Sequence, residues 1–295
     1  MDAADLKFFF AVVKAGGMNR AASELNTVQS NVTARVRALE EELGVLLFHR
    51  GRTGVTPTAA GQRLLPYATK VTHLLDEARR AVKDDGKPKG LLAIGSLETC
   101  AALRLSPILA EYSTTYPDVD FVLRSGTTSE LVEQVLNHTL DGAFVCGPIN
   151  HQELVEEVFF HEELAVLTHR RVRSLDDLAR KGDVKIIVLR QGCSYRQMLE
   201  NILIRSGVVG IRHIEFGTLE AIYSSVRAGL GITMLPKSLI GSIWCDNGVN
   251  VHEVPKAESH VTTVFVHRQD ALISSALKEF LRIARPTSIR MRAAE

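Results

Sequence analysis

Residues 18–61, MNRAASELNTVQSNVTARVRALEEELGVLLFHRGRTGVTPTAAG, decide how the first part of this 295-residue chain is read. From Gln29 to Leu43, the residues Val32, Val36, Leu39 and Leu43 recur at intervals of four, three and four, the apolar stripe of an amphipathic helix. At about 100° per residue from Gln29, Thr33 falls near 40°, Arg37 near 80° and Ser30 near 100°, whereas the stripe centres near 310°. Hydrogen-bonding side chains therefore share one exposed edge. Ahead of this helix, Ala21, Ala22 and Leu25 form the small apolar face of a shorter one, with Asn19 as its expected cap. Asn26-Thr27-Val28 makes the tight connection, and Asn26 or Thr27 is the expected cap of the longer helix. Before them, Leu6, Phe9, Phe10 and Val13 follow Asp5 as a candidate cap and predict a helix over 5–15, ended by Gly16-Gly17. After Gly44, residues 45–56 read as a hairpin wing with Arg50 and Arg52 at its tip.

Two short helices joined by a tight turn, the second with a Gln, Ser, Thr and Arg edge, form the arrangement that enters the DNA major groove. Gln pairs with adenine, Arg with guanine, and Ser or Thr with either partner. A polar edge is also what any solvated helix shows, so periodicity alone leaves both readings open. Composition agrees with the first without deciding it. The chain carries 35 basic and 34 acidic side chains. Residues 1–89 hold 14 basic against 10 acidic, and residues 90–295 hold 21 against 24. The basic excess thus sits with the helices.

The run from Leu6 to Gly61 resembles the winged helix-turn-helix of LysR-type transcriptional regulators. Ala21-Ala22, Leu25, Gln29, Leu39-Glu40, Leu43-Gly44, Leu47-Phe48, Arg50 and Thr58-Ala59-Ala60-Gly61 stand in that family's order and spacing. The resemblance implies that Gln29, Thr33 and Arg37 face bases, and that Ser30, Arg35, Arg50 and Arg52 hold the DNA backbone. Two positions depart from the pattern: Val28 stands where the family usually has Ser, and Ser30 where it usually has Pro.

Thr58 is placed to cap a further helix to about Lys83, with Leu64, Tyr67, Val71, Leu74, Ala78 and Ala81 at alternating three and four. Pro66 lies inside it and is expected to kink it. Such a stripe needs cover, and the reading expects the same helix of a second subunit in a homodimer or homotetramer. Packing on its own chain is the alternative. Residues 83–90, charged and containing Gly and Pro, read as a hinge.

Beyond it the order of elements repeats. Leu91–Gly95, Asp118–Leu123 and Gly142–Val145 are short apolar runs separated by helical segments. Lys185–Leu189, Ile211–Phe216 and Gly231–Leu235 repeat them, with helices at Tyr195–Ser206 and Leu219–Ala228. Leu164–Thr168 and Thr262–His267 are placed to cross between two lobes, and Leu272–Ala284 would return as a helix to the first. The expected fold is therefore α/β overall: a winged helix-turn-helix over 1–61, a linker helix and hinge over 62–89, and a two-lobed effector domain over 90–295. Lobe I takes 90–164 and 266–295, and lobe II takes 165–265. Such a path gives a hinged cleft like that of periplasmic binding proteins, and LysR-type effector domains resemble it.

Ligands of parallel α/β sheets sit where strands end and helices begin. Four loops of that kind carry the effector-site candidates Ser96, Thr99, Cys100, Thr127, Thr128, Cys193, Ser194 and Thr218. Hydroxyls and free N–H groups there suit a carboxylate, so a small organic acid is the expected effector. Glu98 and Glu220 run against a purely anionic ligand, and an amine or hydroxyl would suit them. Each Ser or Thr has the alternative role of capping a helix.

No HExxH, phosphate-binding Gly loop or GxSxG elbow occurs, so no enzyme, catalytic residue, cofactor or metal site is expected. Cys100, Cys146, Cys193 and Cys245 form no CxxC pair. A redox-sensing regulator acting through Cys193 and a solute-binding module are the rival readings. With no signal-like segment and no apolar run long enough for a bilayer, a cytoplasmic protein without membrane partners is expected. The partners expected are double-stranded DNA with an inverted-repeat site, the effector, and RNA polymerase.

Overall fold

The computed structural model describes residues 1–51, 54–181, 183–190, 192–244 and 248–285, with Arg50, Ala179, Arg180, Lys181 and Ser242 described through their backbone alone. It divides into two compact units, Met1–Asp85 with Asn137–Thr139, and Gly86–Leu136 with Leu140–Glu295.

In the first unit α1 (Ala3–Ala15) opens with a capping box. The Asp2 carboxylate accepts from the Asp5 N–H at 2.8 Å, and Asp5 accepts from the Asp2 N–H at 3.1 Å. Asp2 is thus the cap, and Asp5 is its reciprocal partner one turn in. Gly16, at φ 64°, turns the chain out of the helix in the left-handed conformation. The helices α2 (Met18–Glu24) and α3 (Gln29–Leu43) start at Gly17 and Val28 without side-chain caps. The caps expected of Asn19, Asn26 and Thr27 are not formed. Thr27 Oγ1 instead accepts from Asn31 Nδ2 at 3.0 Å.

Phe9, Val12, Ala21, Val32, Val36 and Leu39 are fully buried. Each of the larger ones contributes about 1.5–3 kcal/mol on burial. Leu43, assigned to the same stripe, is 38% exposed because the helix ends at Gly44, where the chain turns away. The wing is the antiparallel pair β1 (Phe48–Gly51) and β2 (Gly54–Pro57). Its root is fixed by Glu40, a buried carboxylate whose Oε1 accepts from the Leu47 and Phe48 N–H groups at 2.8 and 3.2 Å. Thr58 caps α4 (Ala59–Lys83) by accepting from the Gly61 N–H at 3.1 Å, and donates to the Leu46 carbonyl at 2.7 Å. Gly61 has no alternative: a Cβ there would lie 2.3 Å from the Leu47 carbonyl oxygen. The helix continues across Pro66 to Lys83 without ending, because Leu64, Leu65 and Ala68 on the same turns pack into the head's core.

In the second unit, β3 (Gly90–Ser96), β4 (Val119–Ser125) and β5 (Gly142–Gly147) form a parallel set with β3 in the centre. The expected apolar runs are these strands. Between them lie α5 (Glu98–Cys100), a π-helical turn over Ala101–Leu105, α6 (Ser106–Thr115) and α7 (Thr128–Leu136). The sixteen-residue β6 (Leu154–His169) is the strand shared by both lobes. Its first part pairs with β11 (His260–Arg268), and its last part with β9 (Thr233–Pro236) and β10 (Val249–Glu253). Lobe II adds α8 (Asp176–Lys181), β7 (Asp183–Val188), α9 (Ser194–Arg205), β8 (Gly210–Glu215), α10 (Leu219–Arg227), and the short turns α11 (Leu239–Ser242) and α12 (Lys256–Ser259). The strands β7 and β8 are parallel, as the repeated order of elements implies.

The second crossing comes earlier than expected. Thr262–His267 pairs along its length with β6, and its residues Thr262–Val266 also pair with β5, so it lies inside lobe I. Residues 254–259 carry the chain over. A run such as Val264-Phe265-Val266 suits a strand buried on both faces as well as a crossing strand, so the pattern does not separate them. Finally α13 (Ser275–Ala284) returns to lobe I, with Phe280 fully buried against Tyr112, Phe121 and Phe144.

Candidate functional site

Two groups of side chains fall where chemistry with a partner can occur. The first is the edge of α3. Gln29, Ser30 and Arg37 are exposed and Thr33 is half-buried, all away from the buried Val32, Val36 and Leu39. Gln29 Nε2 donates to Thr33 Oγ1 at 3.2 Å, and Thr33 Oγ1 donates to the Gln29 carbonyl at 3.0 Å. These bonds hold the two side chains at the start of the helix. Arg37 has no ion pair among the described residues.

Arg35 differs from its neighbours. Its guanidinium donates to Asp5 at 3.0 Å, lies 3.9 Å from Asp2 and sits 5.9 Å from the centre of the Phe8 ring. It ties α3 to the capped start of α1. Arg52, and the side chain of Arg50, lie outside the described residues, as does Cys245.

The second group lines a cleft between the lobes, with about 570 Å³ of space including the part open to solvent. Its lobe I wall is the loop Leu97-Glu98-Thr99, the segment Ser125-Gly126-Thr127-Thr128 and Cys146, and its lobe II wall is Leu189-Arg190, Cys193-Ser194-Tyr195 and Gly217. Five of the eight expected residues line it: Thr99, Thr127, Thr128, Cys193 and Ser194. Three do not. Ser96 is fully buried and donates to the Leu97 carbonyl at 3.0 Å. Cys100 lies in the core beneath the loop. Thr218 caps α10 by accepting from the Ala221 N–H at 3.3 Å, the alternative role weighed for it.

The lobes already touch across the cleft. Ser194 Oγ donates to Thr128 Oγ1 at 3.3 Å, and Thr99 Oγ1 lies 3.4 Å from the Tyr195 hydroxyl. Gly192 comes so close to the start of α7 that a Cβ on it would sit 2.9 Å from Thr127 Oγ1. Thr127 and Glu130 form a reciprocal cap: Glu130 accepts from the Thr127 N–H at 2.9 Å, and Thr127 Oγ1 from the Glu130 N–H at 3.3 Å. The start of α9 at Cys193 has no side-chain cap, and Cys193, Ser194 and Tyr195 at that positive dipole end line the cleft.

Burial pushes the Cys146 thiol up to about 11 and the Cys100 thiol up to about 12, and also raises Cys193. Each is a protonated thiol at neutral pH, a poor nucleophile. Glu98 is raised by burial too, opposed by the Leu219 N–H and by the charge of Arg190. Arg190, Tyr195 and Cys146 were not among the expected site residues. Arg190 does follow directly on the end of an apolar run, the position from which a strand hands its chain to a pocket loop.

These features have counterparts in known proteins. Residues 3–62 match the family model described as bacterial regulatory helix-turn-helix protein, lysR family, and residues 85–288 match the LysR substrate binding domain. The chain is 41% identical over 281 residues to the HTH-type transcriptional regulator SoxR of Arthrobacter sp. (strain TE1826), covering 95% of this chain and 96% of that one. It is also 41% identical over 279 residues to the regulator GltR of Bacillus subtilis (strain 168), covering 94% and 93%. Among solved structures, a full-length OxyR variant from Pseudomonas aeruginosa superposes with a TM-score of 0.68 at 20% identity, covering 96% of this chain and 93% of that chain. Full-length CbnR in complex with its target DNA does so with a TM-score of 0.65 at 23% identity, covering 96% and 99%. No helix among the described residues is long and apolar enough to cross a membrane. The chain belongs to the LysR family of transcriptional regulators, which bind DNA through a helix-turn-helix and carry an effector-binding domain.

Proposed function

We propose that this regulator reads an inverted-repeat DNA site through Gln29, Thr33 and Arg37, and is switched by a small organic acid held in the interlobe cleft. Residues 1–61 form the head, 62–89 the connecting helix and hinge, and 90–295 the sensor. Ser30, Arg50 and Arg52 hold the DNA backbone, whereas Arg35 works within the head, because its charge is already met by Asp5. The observation that carries the sensing role is the cleft itself. The start of α9 and the Arg190 guanidinium converge there with Thr128 and Ser194, a donor-rich site for a carboxylate.

A ligand there changes lobe angle only through a difference in its affinity for two arrangements. The Ser194–Thr128 and Thr99–Tyr195 contacts are the bonds it must replace or reinforce. On α4, Tyr67, Leu74 and Val82 are 69%, 52% and 89% exposed, an apolar stripe that supports pairing with a second copy, in a dimer or tetramer. RNA polymerase is the expected downstream partner. The protein acts as a regulator and not as an enzyme, in keeping with its family. The redox reading through Cys193 is not favoured, because burial keeps its thiol protonated.

The test is a thermal-shift screen of carboxylic acids on the full chain, followed by mobility shifts on a promoter fragment with each hit. A hit that raises Tm, alters DNA affinity and loses both effects in Thr128→Val supports the reading. Hits unmoved by that substitution place the ligand elsewhere.

A further inference from the structure

The cleft holds two opposite charges that do not meet. Glu98 stands on the lobe I wall and Arg190 on the lobe II wall. They attract across the space, yet no ion pair joins them among the described residues. Glu98 Oε2 is shut off from water and has no hydrogen-bond partner. Such a group is rare in a folded protein and costly to leave unmet. The Glu98 carboxylate meets the Leu219 N–H, and the cleft's other carboxylate, Glu130, meets the Thr127 N–H, so among the described residues the cleft carboxylate atom left unmet is Glu98 Oε2.

Opposite it the field is positive. The Arg190 guanidinium lies beside Gly217, where a Cβ would come 3.7 Å from Nη2, and the residue is exposed at the mouth of the cleft. The start of α9, which has no side-chain cap, adds its dipole end on the same space, whereas the start of α7 is already met by the Glu130 carboxylate. A dicarboxylate would satisfy this side and repel Glu98. An amine would satisfy Glu98 and leave Arg190 unmatched. One class of small molecule meets both.

We propose that the effector is an α-amino acid zwitterion, its carboxylate toward Arg190 and the start of α9, and its ammonium toward Glu98. This narrows the organic acid of the preceding section and rests on the cleft being the effector site. Its side chain is left to the apolar wall of Leu97 and Leu189.

The test uses the full chain with three sets of probes in thermal shift and titration calorimetry: the common α-amino acids, their des-amino carboxylic acids, and their methyl esters. At least one amino acid should bind, with its des-amino acid and its ester each weaker by about tenfold or more, since each loses one charge-assisted contact. Glu98→Gln should weaken the amino acid by a similar factor and leave the des-amino acid unchanged or tighter. The same variant should melt no lower than the parent without ligand, because it removes a poorly solvated charge. Failure of every amino acid to bind overturns the proposal. So does a des-amino acid that binds as tightly as its amino acid, although the cleft reading then survives if Arg190→Ala abolishes its binding. A hit indifferent to both Arg190→Ala and Thr128→Val sinks the cleft reading as well.

Discussion

The edge of α3 and the interlobe cleft do opposite things with their polar side chains. On α3 the outward-facing Gln29, Ser30 and Arg37 are separate from the residues that form the core: Val32, Val36 and Leu39 are fully buried, and Arg37 has no ion pair among the described residues. In the cleft the same groups serve both purposes. Thr127 caps α7 while lining the space, and Thr128 meets Ser194 from the other lobe. Recognition and stability are therefore separable in the head and entangled in the sensor.

The largest expected effect lies in the head's frame. Gly61→Val forces a side chain against the Leu47 carbonyl and should destabilise the head by about 3 kcal/mol or more, read by chemical denaturation. An unchanged midpoint would mean that the wing root is slack. Next comes Arg37→Ala, which should weaken preference for one base position by about 1–3 kcal/mol without moving Tm. Equal loss on specific and random DNA would make Arg37 a backbone contact.

The cleft offers the sharper contrast between Thr218→Val and Thr128→Val. The first removes only a helix cap and should lower stability by about 1 kcal/mol while effector response persists. The second should abolish the response. If both behave alike in calorimetry and mobility shift, capping and sensing are not distinguished by position in the cleft. Smallest is the thiol effect. The folded state holds Cys100 and Cys146 at raised values, so they favour the fold up to the ordinary thiol range, and that contribution fades as pH climbs toward about 11–12. Alkylation of Cys100, Cys146 and Cys193 in the native protein, read residue by residue, should accordingly be slow at pH 8. Rapid labelling there, or altered DNA binding after mild peroxide, would revive the redox reading.

Much of the fold could be read from the residues themselves. The α3 stripe, the strands around Ile94, Phe121 and Phe144, and the repeated order of strands and helices in the second lobe all follow from spacing, because burial on one face imposes a period. Helix starts were less legible. Asp2 and Asp5 are both good caps, and only the chain path decides which one leads. Nothing in a linear pattern marks Glu40 as a buried acceptor for two wing N–H groups, since its partners lie seven and eight residues on. The cleft was legible as four loops but not as a list. Ser96 and Thr99 are three residues apart, and only the turn of the chain sends one into the core and the other to the wall. Arg190 carries no such mark, because a lone Arg after a strand looks like any solvated cation.

The central claim is that occupation of the cleft alters how the head grips DNA. The direct measurement is fluorescence anisotropy of the full chain on a promoter fragment and on random DNA, at fixed salt, with and without a cleft ligand found by thermal shift. The account predicts preference for the promoter and a ligand-dependent change in its affinity of about 5–150-fold, lost in Thr128→Val. A bound ligand that leaves promoter affinity unchanged, or a protein that holds both DNAs equally at moderate salt, would contradict it.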